Sequence, residues 1–224
     1  MSHFDGFADH YKDVLDQSLA LSGETGEYFA EYKARYVCDQ VVGPGFSGRV
    51  LDFGCGIGLL SGCLKAQLPL AAIHGFDVSG KSIRRIHANL RAAGVFTTDE
   101  AELAAQYDVI VLSNVLHHVT SSARQAMMRA IGERLAKGGR LVVFEHNPLN
   151  PVTRWIVKRS GLDEDAVLVP RRETAALLAA AGMRVVRRSY IVFFPRPLAW
   201  LRRLERFLSP CPLGAQYAVV GTLQ

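Results

Sequence analysis

Three glycines at alternate positions, Gly54, Gly56 and Gly58, follow an apolar strand, Val50 to Phe53, and lead straight into a helical run from Leu59. A turn of this kind lets backbone approach a ligand to van der Waals distance and take up φ values that a Cβ forbids. The helix behind it presents unpaired N–H groups and the positive end of its dipole to whatever lies there. The strand carries an acid, Asp52, at its second-to-last position, and Cys55 sits inside the turn, where a small, slightly polar side chain fits. The dinucleotide fingerprint needs Gly-x-Gly-x-x-Gly. Here Leu59 stands where its third glycine belongs, and the third glycine comes one residue early.

The rest of the chain continues the alternation. One helix length later, the apolar strand Ala71 to Phe76 ends in Asp77-Val78-Ser79. A carboxylate about 20 residues past the glycine turn, at the end of a second strand, is placed to accept both ribose hydroxyls. The alternative is a plain loop aspartate. A helix follows over Lys81 to Ala93, then a weak third strand around Val95 to Thr97. Tyr107 to Asn114 is a fourth strand, continuous enough to be buried on both faces. Gly138-Gly139-Arg140 turns into a fifth, Leu141 to Glu145. Further on come a helix, Arg172 to Ala181, a long sixth strand, Met183 to Pro195, and a last strand, Gln216 to Leu223. Strands alternating with helices imply a parallel, doubly wound α/β sheet.

These residues resemble class I S-adenosylmethionine-dependent methyltransferases, of a small-molecule, bacterial-looking type. Asp52, Gly54, Gly56 and Gly58 stand as in motif I of that family; the Tyr-Asp pair opens strand four and Gly-Gly precedes strand five. The resemblance is strong over residues 47–147 and looser at both ends. It implies a Rossmann-like methyltransferase fold with a seven-stranded, mostly parallel sheet, its last strand antiparallel, and an N-terminal helical lid. Residues 1–46 then form the arm or lid. Residues 47–224 form one cofactor-binding domain, with substrate-side insertions at about 146–182 and 196–213. The implied cofactor is S-adenosyl-L-methionine, with the glycine turn against its amino-acid half. Asp52, Gly54, Cys55, Gly56, Gly58, Asp77, Val78 and Asn114 are the expected cofactor contacts. Asp99 could bind the adenine amino group.

Composition sets the outer bounds. A chain of 224 residues, 49% of them hydrophobic, has material for one sizeable core. No basic-then-apolar leader is seen, and no apolar run approaches the ~20 residues needed to span a bilayer. Cys38, Cys55, Cys63 and Cys211 form neither metal-ligand pairs nor a disulfide ladder. They read as reduced thiols of a cytoplasmic protein, with peripheral contact at the inner membrane surface left open. Charge is uneven. Residues 1–46 carry 3 basic and 8 acidic side chains, residues 151–210 carry 12 and 5. A basic region attracts nucleic acid, anionic lipid or a phosphorylated substrate, or is simply a solvated face.

In the arm, Phe4 to Leu15 has helical apolar spacing, and a second helix runs from Gly26 to Val42 before Gly43-Pro44-Gly45. The family likeness makes Tyr11 the candidate to approach the sulfonium with its ring, ahead of Tyr28 and Tyr32. Each of these could equally be a packing residue. After strand five, Glu145-His146-Asn147-Pro148 must be loop. His146 and Asn147 are therefore expected on the acceptor side of the sheet edge. Residues 197–208 alternate leucines, Trp200 and Phe207 with Arg202, Arg203 and Arg206, an amphipathic basic helix. It could pack on the protein, wall the acceptor pocket or contact a dimer partner, or lie on a membrane surface; the run Trp155 to Arg159 has a similar character.

Methyl transfer from this cofactor is an in-line displacement for which the protein mainly positions and desolvates the acceptor. A hydroxyl or protonated amine acceptor also needs a base. His117 and His118, after strand four, are the candidates; a histidine is common at the position of His118 in similar methyltransferases. Ser113-Asn114-Val115-Leu116 lacks the Pro-Pro-aromatic of amide and adenine N-methyltransferases and the acidic pair of the metal-assisted type. No cluster has metal spacing. The expected activity is metal-free methylation of a hydroxyl or amine on a small metabolite, lipid- or sugar-linked molecules included. An RNA or protein methyltransferase using the basic region, and a non-catalytic cofactor-binding module, are the alternatives.

Overall fold

The computed structural model describes residues 23–160 and 166–223, together with Asp16 and Leu19. The helix expected over Phe4 to Leu15, with Tyr11, lies outside the described residues. The described chain begins with helix α1 (Gly26–Val37), capped by the Thr25 hydroxyl, whose last turn widens into a π-turn over Cys38–Val42. Strand β1 (Arg49–Phe53), helix α2 (Leu59–Gln67) and strand β2 (Ala72–Phe76) form the first crossover unit. Helices α3 (Gly80–Arg85) and α4 (Ala88–Ala93), the two-residue strand β3 (Phe96–Thr97), strand β4 (Tyr107–Ser113), helix α5 (Ser121–Glu133) and strand β5 (Leu135–His146) continue the alternation. Then come α6 (Pro151–Arg159), α7 (Arg171–Ala180), β6 (Met183–Ile191), a 3-10 segment Arg196–Leu204 running into α8 (Glu205–Leu208), and β7 (Gln216–Leu223).

The strands lie in one sheet in the order β3-β2-β1-β4-β5-β7-β6. Neighbours pair parallel as far as β5, and β7 is antiparallel to both β5 and β6. The period-2 alternation of side chains splits the core between the two faces. Val109, Val111, Val142 and Phe144 face one layer, which contains α1 and α2; Tyr36 meets the Phe144 ring edge-on at 5.4 Å. Ile110, Leu112, Leu141 and Val143 face the other, with Met128 and Ile131 of α5 and Ala175 and Leu178 of α7. Helix α1 thus belongs to the main core: Ala34 and Val37 are fully buried there. The described part of the expected arm is a structural layer.

Four boundaries differ from expectation, each for a local reason. The helix expected over Lys81 to Ala93 breaks at Ile86, whose ψ of 135° leaves the helical region. That buried side chain is drawn beneath the glycine turn, where a Cβ on Gly58 would meet it at 3.2 Å. Strand β5 starts six residues before Leu141, because the Gly138-Gly139 pair is accommodated inside a strand irregularity rather than ending it, and it runs through Glu145 and His146, expected as loop, which pair with Tyr217 and Gln216; Gly138 has φ +74° and the register shifts between Tyr107 and Val109. Strand β6 stops at Ile191, since Val192 takes φ +59° and Phe193 and Phe194 donate instead to the Glu205 carboxylate. The expected helix over 197–208 is mostly 3-10, kinked at Leu198 between proline-rich sequence and the pinned Arg202.

Candidate active site

The carboxyl edge of the parallel strands gathers side chains from loops far apart in sequence. A cavity of about 550 Å³ opens there, between the glycine turn and α1 on one side and the segments after β4 and β5 on the other. Gly54, Gly56 and Gly58 all have left-handed backbone, at φ +82°, +53° and +82°. The Gly54 and Cys55 N–H groups both donate to the Phe76 carbonyl, at 2.8 and 3.0 Å, which hangs the turn from the end of β2. A Cβ on Gly54 would lie 2.4 Å from Val115, whereas at Gly56 it would meet nothing within 4 Å. Gly56 therefore leaves a bare stretch of backbone facing the cavity. Burial pushes the Cys55 thiol well above its ordinary range, so it lines the turn as a neutral group.

Asp77 holds the same turn from below. One carboxylate oxygen accepts from Gly56 N and the other from Ser79 N, both at 2.8 Å. Each oxygen has further acceptor capacity, and Asp77 and Val78 both line the cavity. Asp52 is 1% exposed; its Oδ2 accepts from the Ser61 hydroxyl at 2.7 Å and its Oδ1 has no partner among the described residues. Burial raises its pKa to about 6, against the hydrogen bond from Ser61. Across the cavity Lys33, equally buried, donates to Ser113 Oγ at 2.8 Å. Burial lowers its pKa to about 8, opposed by the charges of Glu145 and Asp52. Asn114, at φ +58°, and Gln216 also carry buried side-chain oxygens without partners among the described residues, and both line the cavity.

Buried acceptors left unpaired cost about 1–3 kcal/mol each. Asp52 Oδ1, Asn114 Oδ1 and Gln216 Oε1 all border one cavity, so a ligand bringing donors relieves them together. An α-ammonium group supplies such donors, and Lys33 supplies a positive charge for the carboxylate beside it. With the Gly56 cradle and the Asp77 carboxylate, the residues present fit S-adenosylmethionine in its amino-acid, ribose and backbone-contact parts.

The histidines divide. His117 is 1% exposed and does not line the cavity; its Nδ1 lies 2.5 Å from Glu145 Oε2. Glu145, fully buried, also accepts from Leu116 N at 2.7 Å. Its burial would raise the carboxyl pKa, yet the His117 charge and hydrogen bond win and hold it below the usual range. Of the two candidate bases, His117 is the one held away from the cavity, with its Nδ1 on the buried Glu145 carboxylate. His118 is exposed at the cavity edge and packs against the His117 ring at 4.1 Å, while His146 lines the cavity from the end of β5. Arg124 clamps this turn, donating to the Leu116, Val119 and Val167 carbonyls and pairing with Glu173.

Other expected residues are placed elsewhere. Asn147 is buried with its amide donating to the Pro212 and Gly214 carbonyls, so it ties two loops together and does not line the cavity. Asp99 caps the Glu100–Glu102 turn, and its neighbour Glu100 is the residue at the cavity. Tyr28 stacks under Arg202 and Tyr32 donates to Glu205; neither reaches the cavity, whereas Phe29 does. Gly58 sits behind the turn. Lys33, Phe29, Gln216, Glu145 and Arg124 were not anticipated. Lys33 shares a helix face with Gly26, Phe29 and Ala30, all at the cavity, and that spacing was the available signal.

A seven-stranded sheet with this order and a glycine cradle at its carboxyl edge defines a nucleotide-type cofactor binder, and comparison with known proteins narrows the class. A family model described as "Methyltransferase domain" matches residues 24–188. The chain belongs to this family: it carries a class I S-adenosylmethionine-dependent methyltransferase domain. It is 30% identical over 203 residues to a ubiquinone biosynthesis O-methyltransferase of Ruegeria sp. (strain TM1040), covering 79% of this chain and 74% of that protein. It is 32% identical over 129 residues to ribosomal RNA small subunit methyltransferase C of Salmonella choleraesuis (strain SC-B67), a match spanning 54% of this chain and 37% of that protein. The chain thus spans little more than a third of the length of such ribosomal RNA relatives. Among solved structures, magnesium protoporphyrin IX methyltransferase from Synechocystis PCC 6803 with bound SAH shares the fold, with TM-score 0.67 at 17% identity, over 99% of this chain and 97% of that one.

Proposed function

We propose that this protein methylates a hydroxyl or amine of a small metabolite by in-line displacement, with His118 as general base and His146 beside the acceptor. The observation that carries the reading is that both rings border the cavity which Gly56 and Asp77 also line. When bound, S-adenosylmethionine supplies a methyl carbon already activated by its sulfonium. The chain's own residues do the rest. Asp77 holds ribose hydroxyls, Asp52 and Asn114 accept from the ammonium group, and Lys33 faces the carboxylate. Ile156 and Val157 on the acceptor side exclude water, and His118 takes the acceptor's proton as the new bond forms. His117 and Glu145 fix the turn that presents His118. The similarity to a ubiquinone biosynthesis O-methyltransferase over most of both chains favours a small acceptor.

RNA methylation is the second reading, favoured by the likeness to ribosomal RNA methyltransferases and by the exposed Arg184, Arg187 and Arg188 of β6. It requires acceptor binding that weakens steeply with salt. A cell extract incubated with the protein and methyl-labelled cofactor, followed by mass spectrometry, separates the two. Label in a small molecule, lost with His118→Ala at unchanged cofactor affinity, supports the first reading. Label in RNA alone contradicts it.

A further inference from the structure

On the acceptor side of the cavity, the surface carries large apolar side chains that the fold leaves in water. Helix α6 lines the cavity with Ile156 and Val157, but Leu149, Val152 and Trp155 point outward, Leu149 being 62% exposed. The segment before β7 does the same with Trp200 at 74%, Phe207 at 67% and Leu213 at 63%. The two segments run side by side: the Asn150 amide donates to the Leu213 carbonyl at 2.6 Å and the Asn147 amide to that of Pro212. Leu149, Val152, Trp155 and Leu213 thus lie where the two segments adjoin, and Trp200 and Phe207 stand exposed on the stretch of chain that leads to Leu213.

The exposed charges described on these two segments are basic, although Asp163, Glu164 and Asp165 follow α6 in the sequence. Arg154, Lys158 and Arg159 on α6, and Arg196, Arg203 and Arg206 on the later segment, are all exposed. Residues 147–160 contain no acid, and residues 196–214 contain only Glu205. Glu205 is buried and turned inward, bonded to the Tyr32 hydroxyl and the Phe193 and Phe194 N–H groups. The Arg159 guanidinium lies 4.1 Å from the Trp155 ring and that of Arg206 4.6 Å from Phe207. Exposed tryptophan and leucine rimmed by arginine is the composition that suits the boundary of lipid headgroups and acyl chains. Aromatic rings and arginines alone would also suit RNA. Leu149, Val152, Leu204 and Leu213 gain nothing from stacked bases, however, and are stabilised only in an apolar medium.

We propose that this face docks on the surface of an anionic phospholipid bilayer, with the acceptor side of the cavity turned toward the lipid. The inference goes beyond the acceptor reading and does not rest on it, since docking is measured without an acceptor. Trp155 and Trp200 are the two tryptophans of the chain, so its intrinsic emission reports both halves of the face. The full-length protein is mixed with vesicles of phosphatidylcholine, or of phosphatidylcholine with phosphatidylglycerol, and emission and flotation are followed. The expected result is flotation and a blue shift with the anionic vesicles only, in both Trp155→Phe and Trp200→Phe single-tryptophan forms. The double variant Trp200→Glu with Phe207→Glu loses roughly tenfold or more in vesicle affinity, while its S-adenosylhomocysteine affinity is unchanged, which shows that it folds. Equal binding to neutral vesicles, or no vesicle binding at all, overturns the proposal. So do binding to RNA in place of vesicles, emission already blue-shifted without lipid (residues 1–22 covering the face), and a concentration-dependent dimer that ignores vesicles.

Discussion

Asp52 stands near the end of β1 with one oxygen bonded to Ser61 and the other bare, and its raised pKa states the cost of that placement. Its carboxyl holds the proton more tightly when folded than when unfolded, between 3.8 and about 6. The stability it contributes is complete below pH 3.8 and is lost as the pH rises through about 6. The ligand reverses this preference, because the ionised form accepts from an ammonium group far more strongly than the protonated one. Cofactor-product affinity should therefore rise as pH climbs through about 6. Asp52→Asn should flatten that profile in calorimetry and lose about 1–3 kcal/mol of binding above it; an unchanged profile would remove Asp52 from the ammonium role. Lys33 behaves in the opposite sense. Its pKa is lowered to about 8, so the penalty of burying its charge is relieved as pH rises from about 8 toward 10.5. His117→Ala leaves Glu145 buried without its partner and should cost about 3–5 kcal/mol of stability in denaturant unfolding. A loss of activity with full stability would instead restore His117 to a chemical role.

At the scale of elements, the glycine turn and the turn after β4 differ in how readily they are seen. The first is legible because backbone dictates it: three residues at positive φ demand glycine, and Asp77 reaches Gly56 through a fixed strand length. The second depends on partners far away in sequence. Glu145 and Arg124 hold it from β5 and α5, and Val167 bonds to the His117 carbonyl. Which of two adjacent histidines faces the cavity is decided by those contacts, not by any local pattern. Lys33 is half legible: its helix spacing sets it on the face of Gly26, Phe29 and Ala30, but its approach to Ser113 follows from how α1 packs on the sheet. Arg124→Ala should loosen this turn and lower kcat by about tenfold or more, with cofactor-product affinity unaltered. Equal turnover would show that the clamp serves stability alone.

For the whole molecule, the alternation of strands and helices is enough to foresee a parallel, doubly wound sheet, since crossover rules leave few arrangements open; the reversed last strand is foreseen only through the family resemblance. What surrounds the sheet is less legible, because the segments after β5 and β6 are shaped by individual bonds such as those of Asn147, Asn150 and Glu205. These segments wall the acceptor side, where the chemistry of the substrate is decided. The claim on which all of this rests is that the bare turn and Asp77 together hold the adenosyl cofactor. Isothermal calorimetry with S-adenosylhomocysteine, on the natural chain and on Asp77→Ala, tests it most directly. Heat of binding weakened by about 1–3 kcal/mol in the variant is the expected result. Identical affinity in the two, or heat with NADH and none with S-adenosylhomocysteine, would contradict it.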